Sequence, residues 1–275
     1  TAPSSNGSDI NSQLRRQFPH AGLHDIGKRG GGVDLLVAGC GTGQQLIDIA
    51  ARFTGVRVLA IDLSLPSLCY AKRKTDEFGL RNIGYGRADI LKLRELGRDF
   101  DVIDSAGVLH HLADPIVGWN VLISLLRPHG AMRIALYSEF ARQHVVAGRK
   151  FVAERGYRET PDGIRRFRQD VLALAADDPV RLLAKSGDFF SISDCRDLVF
   201  HVQEHRFTLQ QIKVFLAARG LNLLGFDIGQ NILNRYRANF PEDPACADLD
   251  RWHAFEKANP WTFGGMYQFW VQARD

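Results

Sequence analysis

The chain has 275 residues, 45% hydrophobic and 24% charged, with a formal charge of +4 at pH 7. These proportions exclude a disordered or fibrous chain, and no apolar run is long enough to cross a bilayer. The modest positive charge permits an acidic partner without implying one. Four cysteines, Cys40, Cys69, Cys195 and Cys246, show no metal-ligand spacing and read as reduced thiols of a cytoplasmic protein.

Residues 1–30 read as a polar tail followed by a lead-in helix, with no signal-peptide core, and a chain opening on Thr reads as a trimmed chain or an excised domain. The first informative element is Val33-Asp34-Leu35-Leu36-Val37-Ala38, an apolar run that stops at Gly39-Cys40-Gly41-Thr42-Gly43. Such a run predicts a buried parallel strand entering a tight turn, with a helix over Gln44 to Arg52 behind it. A turn of this kind suits a nucleotide-like cofactor. A dinucleotide site requires G-x-G-x-x-G, whereas these glycines fall in the pattern G-x-G-x-G and position 44 is Gln.

A second strand, Val56 to Leu63, carries Asp62 at its carboxyl end, where a carboxylate accepts from both hydroxyls of a ribose. A third, Asn82 to Ala88, leads into Asp89-Ile90. The fourth begins at Phe100 and runs through Asp104-Ser105 to Val108-Leu109-His110-His111-Leu112. An amphipathic helix over Val117 to Leu126, the turn Arg127-Pro128-His129-Gly130 and a fifth strand, Ala131 to Tyr137, complete this part.

Residues 31–138 resemble, in order and spacing, the core of class I S-adenosylmethionine-dependent methyltransferases. The resemblance implies an α/β fold: a Rossmann-like seven-stranded sheet, mostly parallel with the last strand antiparallel, helices on both faces, and a helical insertion after strand five. It also implies S-adenosylmethionine as cofactor and S-adenosylhomocysteine as product. The cofactor would be held by Gly39, Cys40, Gly41, Gly43, Asp62, Leu63, Asp89, Ile90, Asp104 and Ser105. Motif I of that family carries an acid two positions before its first glycine, but this chain has Val37 there. Asp104, at the end of the fourth strand, is the expected replacement at the amino end of the cofactor.

Residues 139–207 read as a charged helical insertion forming an acceptor-side cap, and its run Arg165-Arg166-Phe167-Arg168 is either a solvated helix face or a basic lip. In 208–275, Thr208 and Gln211 form a capping-box pattern for a helix to Arg219, ended by Gly220. Strands over Leu221 to Ile228 and Met266 to Gln272 follow, separated by a long polar and aromatic connection. The segments Gly118 to Leu122, Leu136 to Glu139, Asp194 to Leu198, Phe200 to Thr208 and Gly265 to Trp270 resemble bacterial methyltransferase domains attached to tetratricopeptide repeats. No repeat of that period is present here.

Methyl transfer needs in-line alignment and, for a protonated nucleophile, a base. The candidate catalytic residues are His110, Tyr137, Glu139 and His205. Arg142 and Glu204 are candidate contacts to the acceptor. No Asn/Asp-Pro-Pro-Tyr signature follows the fourth strand and no Cys lies between Cys69 and Cys195, which disfavours a nucleic-acid base as acceptor. The expected acceptor is a protein or peptide side chain, or alternatively a small metabolite, offering N, O or S. A cofactor-binding module without catalysis is the third reading.

Overall fold

The computed structural model describes residues 7–27, 32–200 and 204–274. The segment His201-Val202-Gln203 of the methyltransferase resemblance lies outside them. In chain order the core elements are α1 (Ile10–Gln17), β1 (Val33–Ala38), α2 (Gln44–Arg52), β2 (Val56–Asp62), α3 (Leu65–Glu77), β3 (Ile83–Arg87), β4 (Phe100–Ala106), α4 (Pro115–Ile123) and β5 (Leu126–Ser138). The insertion holds α5 (Gln143–Arg155), α6 (Pro161–Ala173) and α7 (Ile192–Val199). The chain closes with β6 (Arg206–Phe207), α8 (Leu209–Ala218), β7 (Leu221–Phe226), α9 (Gln230–Asn239), α10 (Leu249–Ala258) and β8 (Met266–Ala273). No helix among the described residues is long and apolar enough to cross a membrane.

The sheet runs in the order β3-β2-β1-β4-β5-β8-β7, and the short β6 pairs with β5 at the end where Tyr137 and Ser138 leave it. Strands β1 to β5 are parallel, and β8 lies antiparallel between β5 and β7. The sheet therefore has eight strands; the extra one is β6, too short at two residues to show a period in the sequence. Chain order reverses between β1 and β4, and at such a switch point the carboxyl ends of the strands open a crevice.

Period-two alternation splits the core. Leu36 and Ala38 of β1 face one layer, with Trp119, Phe215 and Trp252, while Leu35 and Val37 face the other, with α1 and α2. The long connection before β8 is largely helical. Its α9 and α10 bury Tyr236 and Trp252, stacked at 3.8 Å, against the sheet. The aromatics of this connection are its packing face.

Other boundaries moved for local reasons. Asp114 accepts from the N–H groups of Ile116 and Val117 and starts α4 at Pro115, two residues earlier than the apolar pattern indicates. Strand β5 continues back through Arg127-Pro128-His129-Gly130, where the register against β4 slips between Phe100 and Val102. His129 adopts a positive φ of 58° there. The capping box of Thr208 and Gln211 forms as the pattern indicates.

The insertion has its own apolar core, in which Phe167 packs with Val145, Ile164, Leu183 and Phe189. Around the buried Phe167, Arg165 and Arg166 are exposed, and Arg165 pairs with Asp162 one turn away. Arg165 and Arg166 thus form a solvated helix face, while Arg168 is half-buried over the rings of Phe189 and Phe190.

Candidate active site

The glycine turn closes because its backbone enters the left-handed region three times: φ is +84° at Gly39, +50° at Gly41 and +89° at Gly43. At Gly39 a Cβ would fall 2.2 Å from Val108 Cγ2, and at Gly43 it would fall 2.7 Å from Ala71 Cβ. At Gly41 it would meet nothing within 4 Å. Gly41 thus faces open space, while its neighbours let the loop after β4 and helix α3 approach. The crevice so formed is lined by residues 39–45, Asp62, the loop Ala106-Gly107-Val108 and Arg133.

Asp62 stands over this turn. One carboxylate oxygen accepts from the N–H of Gly41 at 2.8 Å and the other from the N–H of Ser64 at 2.8 Å. A carboxylate has about four acceptor positions, so these bonds fix Asp62 and leave lone pairs for two vicinal hydroxyls. Leu63 beside it is 60% exposed, an apolar surface with no protein covering it. At the end of β3, the Asp89 side chain accepts from the N–H of Leu91, and Ile90 is buried. Cys40 is buried, and burial, reinforced by Asp62, raises its thiol to about 11, which keeps it neutral.

Asp104 lies deeper. It pairs in register with Val37 of β1 on one side and Arg133 of β5 on the other. Its carboxylate accepts from Gln45 Nε2 at 2.9 and 3.1 Å and from Arg133 Nη1 at 3.3 Å. Arg133 also reaches Asp227 at 2.6 Å and Gln268 at 2.7 Å. Burial raises Asp104 to about 6 against the opposing pull of Arg133. Of this network, Gln45 and Arg133 line the crevice. Both escaped the sequence reading, although an arginine inside the apolar strand Ala131 to Tyr137 signals a buried charge with a partner. Ser105 is buried with its hydroxyl unpartnered.

Past Val108 the chain forms a short turn of helix over Leu109–His111, and His110 is buried against Tyr137, with ring centroids 3.7 Å apart. On Tyr137 rests Arg142, its guanidinium carbon 3.7 Å from the ring centre. Burial raises the Tyr137 phenol above its ordinary value, so it is protonated at neutral pH. Glu139 accepts from Arg206 at 3.1 Å and from Gln143 at 2.8 Å. His205 donates its backbone N–H to the His110 carbonyl at 2.8 Å, tying the cap to the loop after β4. Glu204 is turned inward, and its two oxygens accept from Arg142 at 3.0 and 2.6 Å and from Arg149 at 2.9 Å. The structure thus brings His110, Tyr137, Arg142, Glu204 and His205 together, with Glu139 at the edge beside Arg206.

The open-faced Gly41, the anchored carboxylate of Asp62 and the acidic Asp89 at the next strand end fit an adenosine. The sheet order is that of the Rossmann-like methyltransferase fold, and the crevice suits S-adenosylmethionine as cofactor. Residues 35–130 match the family described as "Methyltransferase domain".

Among curated relatives, an uncharacterized protein from Synechococcus is 30% identical over 204 residues, covering 70% of this chain and 48% of that protein. A ubiquinone biosynthesis O-methyltransferase from Caulobacter vibrioides is 33% identical over 162 residues, covering 57% of this chain and 62% of the relative. The chain therefore spans about half to two thirds of the length of these relatives. Among solved structures, PKMT2 from Rickettsia typhi superposes with a TM-score of 0.68 over 95% of this chain and 53% of its own, at 17% identity. The same protein in complex with AdoHcy gives 0.68 at 16% identity. At that identity the likeness is one of fold.

Proposed function

We propose that the protein transfers the methyl group of S-adenosylmethionine to an N, O or S nucleophile on a protein or peptide side chain, presented under the cap at the His110–Tyr137 stack. The observation that carries the methyl-transfer reading is Asp62, fixed by Gly41 and Ser64 over a turn whose open face is Gly41. In this reading Gly39, Cys40, Gly41 and Gly43 supply backbone around the cofactor, Asp62 takes the ribose, Leu63 and Ile90 flank the base, and Asp89 accepts from its amino group. Asp104 supports the floor of the amino-acid end through Gln45 and Arg133, and Ser105 follows it on the same strand.

When bound, the cofactor supplies an electrophilic methyl on a sulfonium. The chain has to orient the nucleophile and remove its proton. Tyr137, held protonated by burial, donates or positions. Glu139 is engaged by Arg206 and Gln143 at the edge of this cluster. His110 and His205, whose backbones are tied by the His205 N–H to His110 carbonyl bond, carry the imidazoles that supply the base.

A protein acceptor accords with the charged helical insertion, and the fold shared with PKMT2 runs over 95% of the chain, the insertion included. The ubiquinone biosynthesis O-methyltransferases favour a small-molecule acceptor, and their match covers 57% of the chain in the Caulobacter relative. Incubation with cofactor labelled in the methyl group, offered a bacterial proteome and separately its metabolite fraction, distinguishes the two. Label in protein supports the first reading, label in metabolites the second, and none in either with cofactor binding intact leaves the non-catalytic module.

A further inference from the structure

A second pocket lies on the far side of Arg142 from Tyr137. Its walls include Arg142 and His144 from the start of α5, Lys185, Ser186 and Asp188 from the segment between α6 and α7, and Trp261 from the turn before β8. It belongs to the cap as much as to the core. His110, Tyr137 and Arg142 form a continuous stack between it and the loop that lines the cofactor crevice.

The charges around the pocket do not balance. Arg142 and Arg149 share the single carboxylate of Glu204, whose side chain is 1% exposed, so one positive charge is left over in a buried cluster. Lys185 adds another and Asp188 offsets it. The fork from Arg142 to Glu204 uses Nε and Nη2, leaving Nη1 outside that pairing. Behind Glu204, the buried Nε of Arg149 has no partner among the described residues. Burying such groups unsatisfied costs free energy unless a ligand supplies the missing partner. In addition, α5 follows Arg142, which gives it no side-chain cap, so the helix's positive end adds to the same field. Trp261, 53% exposed and 4.9 Å from the His144 ring, supplies a flat apolar wall.

We propose that this pocket binds a carboxylate carried by the methyl acceptor, seated on Arg142 and Lys185 beside Trp261, with the reacting atom at the His110–Tyr137 stack. The proposal rests on the methyltransferase reading and narrows its acceptor to a carboxylate-bearing one. The carboxylate can come from an acidic residue of a peptide or from a small aromatic acid. Glu204 then acts as a positioning residue that holds the arginine fork in place.

The test uses the whole chain saturated with S-adenosylhomocysteine and titrated calorimetrically with two matched pairs. One is benzoate against benzamide; the other is the blocked tripeptide Gly-Glu-Gly against Gly-Gln-Gly. Trp261 is the exposed member of the four tryptophans, so its emission reports whether the probe reaches this pocket. The expected result is that one carboxylate binds at least about tenfold more tightly than its neutral twin, a difference of about 1.4 kcal/mol, and changes the emission. Lys185→Glu, on an exposed side chain, should weaken that binding severalfold and leave S-adenosylhomocysteine affinity unchanged. Preference for benzoate identifies a small acid, and preference for the Glu peptide an acidic peptide. Equal binding of charged and neutral probes, no binding of either carboxylate in the millimolar range, or indifference to Lys185→Glu overturns the proposal. Failure of S-adenosylhomocysteine to bind would instead overturn the methyltransferase reading beneath it.

Discussion

Tyr137 lies between His110 and Arg142, its ring 3.7 Å from the imidazole centroid and 28° from parallel to it, with the guanidinium carbon 3.7 Å from its own centre. One aromatic ring thus joins the loop after β4, the end of β5 and the start of the cap. Tyr137→Phe keeps both contacts and removes only the hydroxyl. We expect it to lower kcat while leaving cofactor affinity and the melting temperature nearly unchanged. Tyr137→Leu should cost about 1–2 kcal/mol of stability as the stack and the cation–π contact are lost. Steady-state kinetics with thermal melts on both variants separates the two roles.

Gly39→Ala places a methyl group 2.2 Å from Val108 Cγ2 on a backbone with φ of +84°. The left-handed conformation alone costs about 1–2 kcal/mol for a residue with a Cβ, and the clash displaces the loop that lines the crevice. Cofactor affinity should fall by more than tenfold and stability by a few kcal/mol, read by calorimetric titration and denaturant melts. Gly41→Ala, with nothing within 4 Å of its Cβ, should reduce affinity with a smaller loss of stability.

Removing the Glu204 carboxylate leaves two largely buried arginines facing each other, since Arg142 and Arg149 are 10% and 20% exposed in their side chains. Loss of one partner from such a cluster typically costs about 3–5 kcal/mol. Glu204→Ala should therefore be strongly destabilised in urea melts. Adding Arg149→Met, which removes the surplus charge, should recover part of that loss.

Asp104 sets a pH dependence with a definite sign. Its folded-state value is raised from an ordinary 3.8 to about 6, chiefly by burial, so the folded chain binds this proton more tightly than the unfolded chain. The stability it contributes is fully present below about pH 4 and is lost as pH rises through about 6. Asp104→Asn removes that dependence. The stability of the variant relative to the parent should rise between pH 4 and pH 7, by a quantity on the order of 1–3 kcal/mol, measured by denaturant melts across that range.

Much of the cofactor side was legible in the chain because local rules and tertiary needs coincide there. Strand β1, helix α2 and the left-handed glycines are set by neighbours in sequence, and Asp62 needs only to end its strand. The rest of the site depends on residues far apart in sequence. Arg142 meets Glu204 across 62 positions and Arg133 meets Gln268 across 135, and no period or motif reports such pairs. Arg142 and Glu204 were singled out one by one, but that they bond each other is a tertiary fact. The helices of the connection before β8 are not signalled in the sequence because Tyr236, Trp252 and Phe255 sit among many polar residues. Its helices are held by burial of those rings more than by a strong apolar stripe.

The most direct test of the account is calorimetric titration of the chain and of Asp62→Ala with S-adenosylmethionine and S-adenosylhomocysteine. The prediction is that the parent binds both and that the substitution weakens binding at least tenfold, roughly 1.4 kcal/mol, with the fold intact by circular dichroism. No binding by the parent, or affinity indifferent to the loss of Asp62, would contradict it.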